Sequence, residues 1–315
     1  MALSSCIDAL ADGETELAAS DLTQLSGLLE GEREELRSRW ADISPLRRRE
    51  VLIMLIELAD GNSDLDFEAV YDTALADPDA GVREQAVAGL WESEDRRTIP
   101  KLTSLLRDDP DDHVRAAAAL GLGHFAVLAV TDKLVERDVT LVYRSLMQPL
   151  GDPDEAMAVR RRALEAVGAF ATEEVAGFIR WGFGSDEPKL RQSALNAMGR
   201  SGDPSWLPTI YDEMGSGDPA MRYEAANAAR EIGETESVSH LADMVEDPDV
   251  EVALAAILAV GSIGGARAKK LLRAIAADDE DEAVREAAAT ALRLTETDEV
   301  DLSRFEPSGR LGLSG

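Results

Sequence analysis

The stretch DPDDHVRAAAALGLG, residues 109–123, decides the fold. Its acidic Asp-Pro turn stops one helix and starts the next, because Asp supplies an N-cap and Pro suits the first helical turn. An aliphatic residue, an Arg and an Ala four positions after the aliphatic one then follow, here Val114, Arg115 and Ala118. The same signature recurs at a period of about 31 residues, which marks a repeat architecture. The copies begin at Val82-Arg83 with Ala86, Val114-Arg115 with Ala118, Val159-Arg160 with Ala163, Leu190-Arg191 with Ala194, Met221-Arg222 with Ala225, Val250-Glu251 with Leu254, and Val284-Arg285 with Ala288. The sixth copy departs, with Glu for Arg and Leu for Ala. Each start follows an acidic turn: Asp77-Pro78, Asp109-Pro110, Asp152-Pro153, Asp186-Glu187-Pro188, Asp218-Pro219, Asp247-Pro248, and the run Asp278 to Glu282.

Inside each repeat the first helix is Ala-rich, and Gly168, Gly199, Gly233 and Gly264 fall near its end, where a left-handed cap is expected. A second amphipathic helix follows, as in Leu207, Ile210 and Met214, or Val238, Leu241 and Val245. Small residues let neighbouring first helices approach closely, and each pair buries its apolar face only against the next pair. The interval from Val114 to Val159 exceeds its neighbours by about 14 residues, an insertion between His124 and Val139 that lengthens the connection or the second helix.

The pattern, carried best by DPDDHVRAAAALGLG and by DDEDEAVREAAATALRL at 278–294, resembles the HEAT-repeat family, specifically the short HEAT-like type first noted in phycobilin lyases. The resemblance covers residues 77 to 295 and implies an all-α, armadillo-like α-solenoid, a superhelix of about eight helical hairpins. Pro45 to Ala76 reads as a degenerate first repeat, with Leu46-Arg47 opening its first helix, and Leu22 to Trp40 as an amphipathic capping helix. The expected division is a capping region at 1–44, the solenoid at 45–295 and a loose tail at 296–315.

Composition narrows the function. Sixty-two acidic residues against 32 basic ones give a formal net charge of −30, with 45% of residues apolar and 4% aromatic. The apolar content suffices for a core, and the acidity disfavours nucleic acid and anionic membrane as partners. Arg far outnumbers Lys, and the acids are spread along the whole chain, a composition similar to that of proteins from extremely salt-loving archaea. Molar salt would screen the repulsion such acidity creates in dilute buffer; an acidic surface made for a basic partner is the competing reading. Leu3-Ser4-Ser5-Cys6 lacks the preceding segment of a lipoprotein signal, no signal-peptide run precedes Asp8, and Val252 to Ala266 is too short to span a bilayer, so a soluble cytoplasmic protein is expected.

The chemistry is mostly excluded by what is missing. Cys6 is the one cysteine, which excludes an internal disulfide or a multi-cysteine metal site. The resembling family contains a di-iron hydroxylase with repeated His-Glu pairs, yet His113, His124 and His240 are not followed by Glu. Gly261 to Gly265 lacks the order of a phosphate loop. The expectation is therefore no catalytic residue, no metal and no cofactor. A bilin pocket, implied by the lyase branch, would want aromatic walls; Trp181, Phe183, Trp206, Tyr211 and Tyr223 cluster in the fourth and fifth repeats, so an enzyme or accessory subunit handling a bilin-like or other small ligand is the alternative. The repeated Arg83, Arg115, Arg160, Arg191, Arg222 and Arg285 read as a structural ladder bridging repeats through turn carboxylates. The main reading is a non-catalytic scaffold or adaptor that binds a protein along a concave face made by the second helices, with Lys101, Trp206, Thr209, His240, Lys270 and Arg273 as candidate contacts. Some solenoids resembling this one serve as adaptors in archaeal signalling and motility, which gives that role as an implication of the resemblance.

Overall fold

The computed structural model of the chain describes residues 3–12, 18–278 and 281–303. Among them every regular element is helical: eighteen α-helices joined by turns and short 3-10 segments, and no strand. Two compact units divide the chain, the first ending at Phe170 and the second beginning at Ala171. The first holds α1 (Leu3–Ala11), α2 (Ala19–Leu22), α3 (Glu30–Arg39), α4 (Pro45–Gly61), α5 (Glu68–Ala74), α6 (Ala80–Gly89), α7 (Thr98–Asp108), α8 (Asp112–Val130), α9 (Glu136–Gly151) and α10 (Met157–Val167). The second holds α11 (Glu173–Phe183), α12 (Pro188–Arg200), α13 (Leu207–Glu213), α14 (Pro219–Ile232), α15 (Ser237–Met244), α16 (Val250–Ile263), α17 (Gly265–Asp278) and α18 (Glu282–Ser303).

Helix starts follow from the turns. Asp79 accepts a hydrogen bond from the Val82 N–H, Asp111 from those of His113 and Val114, Asp218 from Ala220, and Asp249 from Glu251 and Val252. Each cap satisfies a donor the helix cannot, worth about 1 kcal/mol. In the first unit the first helices α4, α6, α8 and α10 pack side by side, and in the second unit α12, α14, α16 and α18 do the same. The second helices pack mainly on the first helix of the following hairpin, as α7 does on α8 and α11 on α12. The repeat's Ala positions, among them Ala86, Ala118, Ala163, Ala194, Ala225 and Ala288, are fully buried. Only a residue that small lets the layer of first helices close.

Several expectations change. The repeat Arg lies four positions after the cap, Asp79 to Arg83 and Asp218 to Arg222, and the same step from Asp249 places Ala253 at the Arg position. The sixth repeat therefore reads Val252, Ala253 and Ala256, all buried, whereas Val250 is 46% exposed; this copy keeps the Val and Ala of the pattern and lacks the Arg alone. The same count from Ser44 makes Arg48, not Arg47, the corresponding residue of the first repeat. The helix expected over 22–40 is interrupted: Gly27 takes φ +63°, donates its N–H to the Asp66 carbonyl, and α3 starts afresh at Glu30. Of the four cap glycines, Gly233 and Gly264 have positive φ, while Gly168 is right-handed and Gly199 lies inside α12. The insertion lengthens both helices of its hairpin, α8 to 19 residues and α9 to 16, rather than one helix or the connection.

Backbone helix continues through Ser303 in α18, into the segment expected as tail; residues 304–315 lie outside the described residues. By length and composition α8 is apolar enough to cross a membrane, but half of the window that qualifies is buried within the first unit.

Candidate functional site

Two sets of side chains emerge from this scaffold, one between first helices and one on the outward side of second helices. The first is built from the turn. In Asp109-Pro110-Asp111 the second Asp caps α8, while Asp109 accepts the Asp111 N–H at 3.0 Å and turns its carboxylate to the preceding repeat. Arg83 meets it with two parallel bonds, Nε and Nη2 each donating at 2.7 Å, and Nη1 donates to the Asp77 carbonyl at 2.8 Å. Arg222 repeats this arrangement on Asp247, again with two bonds at 2.7 Å and a third to the Ser216 carbonyl at 2.9 Å. Such a fork on a carboxylate is the strong form of the pair. Burial is the largest influence on Asp109 and pushes it upward, but the Arg83 bonds, the Asp111 N–H and the Arg83 and Arg115 charges together hold the carboxyl below its ordinary range; on Asp247 the Arg222 bonds lead and act in the same direction.

The other members of the ladder vary. Arg115 reaches Glu155 at 2.8 Å, Arg160 donates to the Leu150 carbonyl at 3.5 Å, and Arg191 meets Glu213 at 3.4 Å with its side chain 40% exposed. Arg285 lies on α18 beyond the Asp281 cap. Sequence reading missed the first rung: Arg48 and the Trp40 indole N–H both donate to the buried Asp77 carboxylate at 2.7 Å. An Asp at the first turn position with an Arg four residues after the previous cap was the available signal.

On the second helices, Lys101 of α7 is exposed and pairs with Asp72 of α5, beside a charged hollow that also holds Arg33, Arg37, Glu68 and Arg97. The remaining five candidate contacts belong to the second unit. His240 of α15 is exposed and stacks on Tyr211 of α13, ring centroids 3.8 Å apart and planes 11° from parallel; the Tyr211 hydroxyl and Ser237 Oγ lie 2.9 Å apart. Thr209 is half-buried on α13, and Trp206 is half-buried at the end of the 3-10 segment that leads into it. Lys270 and Arg273 are exposed on α17. The aromatic residues proposed for a ligand pocket are dispersed: Trp181 meets Phe178, Phe183 lies under Arg191, Tyr211 meets His240, and Tyr223 stands on a first helix. Among the described residues no group of three His, Cys, Asp or Glu side chains converges to hold a metal.

A further feature is a groove between α7 and α9, lined by Arg96, Arg97, Pro100, Arg137, Asp138, Leu141 and Arg144. Asp138, 3% exposed, is its anchor: Arg96 Nε donates to Oδ2 at 2.6 Å and Arg137 Nε to Oδ1 at 3.3 Å. Burial raises the Asp138 carboxyl and the two arginines more than reverse that, leaving it below the ordinary range.

A chain of stacked helical hairpins with capped acidic turns and inter-repeat arginines defines an α-helical repeat protein. The profile for HEAT repeats matches residues 67–139 and 207–293, just over half of the chain, and the protein belongs to the HEAT-repeat family. No protein of curated function matches the sequence. Among solved structures, a chain of the complex of CpcE and CpcF of phycocyanin lyase from Nostoc sp. PCC7120 is similar at 16% identity, covering 91% of this chain and 97% of that one with a TM-score of 0.54. Human deoxyhypusine hydroxylase in complex with glycerol is 17% identical over 94% of this chain and 96% of that one, TM-score 0.36. A chain from the structure of Kap95p bound to RanGDP is 13% identical over 96% of this chain and 43% of that one, TM-score 0.44. At these identities the likeness to the CpcE–CpcF complex concerns the fold alone.

Proposed function

We propose that the protein is a non-catalytic scaffold that binds a protein partner along the face of its second helices. One observation carries this reading: outward side chains on that face are held by neighbouring hairpins, Lys101 by Asp72, His240 by Tyr211 and Arg96 by Asp138. Side chains ordered before binding lose less entropy on association, so a surface of this kind favours complex formation. The CpcE–CpcF neighbour is itself a complex of two chains, which supports protein binding as a use of this fold.

The test is affinity capture of partners from a lysate of the source cells at molar salt. A protein retained above a charge-matched control is expected, and its retention should fall with His240→Ala and with Trp206→Ala at unchanged helical content. No enrichment over the control overturns the scaffold reading. So does a bound chromophore or stoichiometric metal in the purified chain.

A further inference from the structure

We infer that the α7–α9 groove of the first unit is a docking site for an acidic linear segment of a protein partner, one that carries a bulky apolar residue among its carboxylates. The inference rests on the scaffold reading and names where and by what chemistry a partner is held.

In a chain of net charge −30, the groove gathers four guanidinium groups around one carboxylate. Asp138 is fully engaged, both oxygens occupied by Arg96 and Arg137. Arg137 nevertheless remains 87% exposed, and Arg97, paired with Asp95, 79% exposed. Arg144 is exposed and makes no ion pair or hydrogen bond among the described residues. Against Asp138 and Asp95 the four arginines leave an excess of positive charge in an otherwise acidic chain, open to an incoming carboxylate. The guanidinium fork matches a carboxylate with two parallel bonds, which makes Asp and Glu side chains the fitting counterpart.

The irregular repeat builds this place. Arg137, Thr140, Leu141 and Arg144 lie within the first nine residues of α9, the helix that the insertion lengthens to 16 residues, against 11 in α7 and in α11. Buried Asp138 ties that added length to Arg96, just ahead of α7. Exposed Leu141 and Pro100 supply an apolar floor between the arginines, so contact does not depend on charge alone. The lining holds no aromatic ring on which a nucleobase could stack, and the acidic remainder of the surface repels a long polyanion. A short peptide feels mainly the groove.

The experiment is selection of short random peptides on the immobilised full chain, followed by fluorescence anisotropy of the most enriched peptide. Enrichment of Asp and Glu around Leu, Ile or Phe is expected. Arg137→Glu/Arg144→Glu should weaken that peptide by at least about tenfold, because like charges across an interface repel, and Arg144→Gln by several-fold. Arg144 is exposed and has no partner among the described residues, so Arg144→Gln should leave the melting point unchanged, whereas the double variant also removes the Arg137 bond to buried Asp138 and should melt somewhat lower. Absence of enrichment, enriched peptides without acidic bias, equal affinity in the double variant, or a single-stranded oligonucleotide binding as tightly as the peptide each overturns the inference. A lysate partner retained undiminished by the double variant removes the groove and leaves the scaffold standing. Failure of all lysate capture removes the scaffold reading instead, whatever peptides the groove selects.

Discussion

The junction of α6 with α8 and the junction of α12 with α14 occupy equivalent places in the repeat and are closed by different means. At the first, Arg83 spans to Asp109 with two bonds of 2.7 Å, its side chain 11% exposed and that of Asp109 only 3%. At the second, the residue equivalent to Asp109 is Ser216, and Arg191 turns away to Glu213 at 3.4 Å and over the Phe183 ring. The helices there meet through a missing side chain: a Cβ on Gly199 would lie 2.6 Å from the Ala228 Cα. One junction is held by charge at its end and the other by a close backbone approach at Gly199, next to the last residue of α12. The repeat therefore tolerates loss of a rung where close approach replaces it.

Arg83→Ala should break the first junction with the largest effect. It leaves Asp109 buried without its cation and the Asp77 carbonyl without a donor, a loss of about 2–3 kcal/mol. Denaturant unfolding at fixed salt measures it, and a loss below about 1 kcal/mol would show that the ion pair is incidental. Gly199→Ala should break the second junction by about 1–3 kcal/mol, because the obstacle is backbone and cannot rotate aside. Gly177→Ala is its control, since nothing lies within 4 Å of a Cβ there and Ala is the better helix former. Equal stabilities for the two variants would remove close approach from the account.

These two junctions also show what can be read from sequence. Helix starts were legible from the acidic Pro turns, but the capping residue was not. Of these turns only Asp218 caps directly ahead of its Pro, whereas Asp79, Asp111 and Asp249 cap after Pro78, Pro110 and Pro248, and the helices starting at Met157 and Pro188 have no side-chain cap. Repeat register was legible wherever the aliphatic-Arg pair is unambiguous, but it slipped by two residues in the sixth copy, where Val250 and Val252 both qualify and only the Asp249 cap decides between them. The role of Gly199 was not legible: a glycine near a helix end serves equally as a cap or as a close contact, and the choice depends on Ala228 across the junction. The groove was least legible, because Asp138 lies in an insertion with no repeat to align it and its partner Arg96 stands 42 positions earlier.

Acid should act on the first junction. Asp109 is held below the ordinary carboxylate range in the folded chain, so its contribution is complete above an unfolded value of about 3.9 and is lost as pH falls through the lower folded value. Asp109→Asn should accordingly be less stable than the wild type at pH 6, with the gap closing below about pH 4. Thermal melting of both proteins at molar salt, where the remaining acidity is screened, checks it. A gap independent of pH would mean that shape rather than charge holds the pair.

The smallest effect sharpens the comparison most. Ser216→Asp restores the carboxylate that Asp109 and Asp247 provide in their own turns. Ser216 Oγ already accepts the Asp218 N–H, as Asp109 accepts that of Asp111, so the substitution keeps the turn bond. Arg191 is within the same repeat geometry as Arg222, and closing on residue 216 requires it to leave a 3.4 Å contact and a partly exposed position. The expected gain is about 0.5–1 kcal/mol, a partly exposed pair made at the cost of ordering one arginine. One more negative charge on an already acidic chain works against it, and molar salt removes most of that opposition. A double-mutant cycle separates the terms: Arg191→Ala should cost less than about 1 kcal/mol with Ser at 216 and more with Asp there. Zero coupling would mean that Gly199 fixes the α12–α14 spacing too firmly for a rung to form, making backbone approach a barrier to the ion pair rather than its substitute.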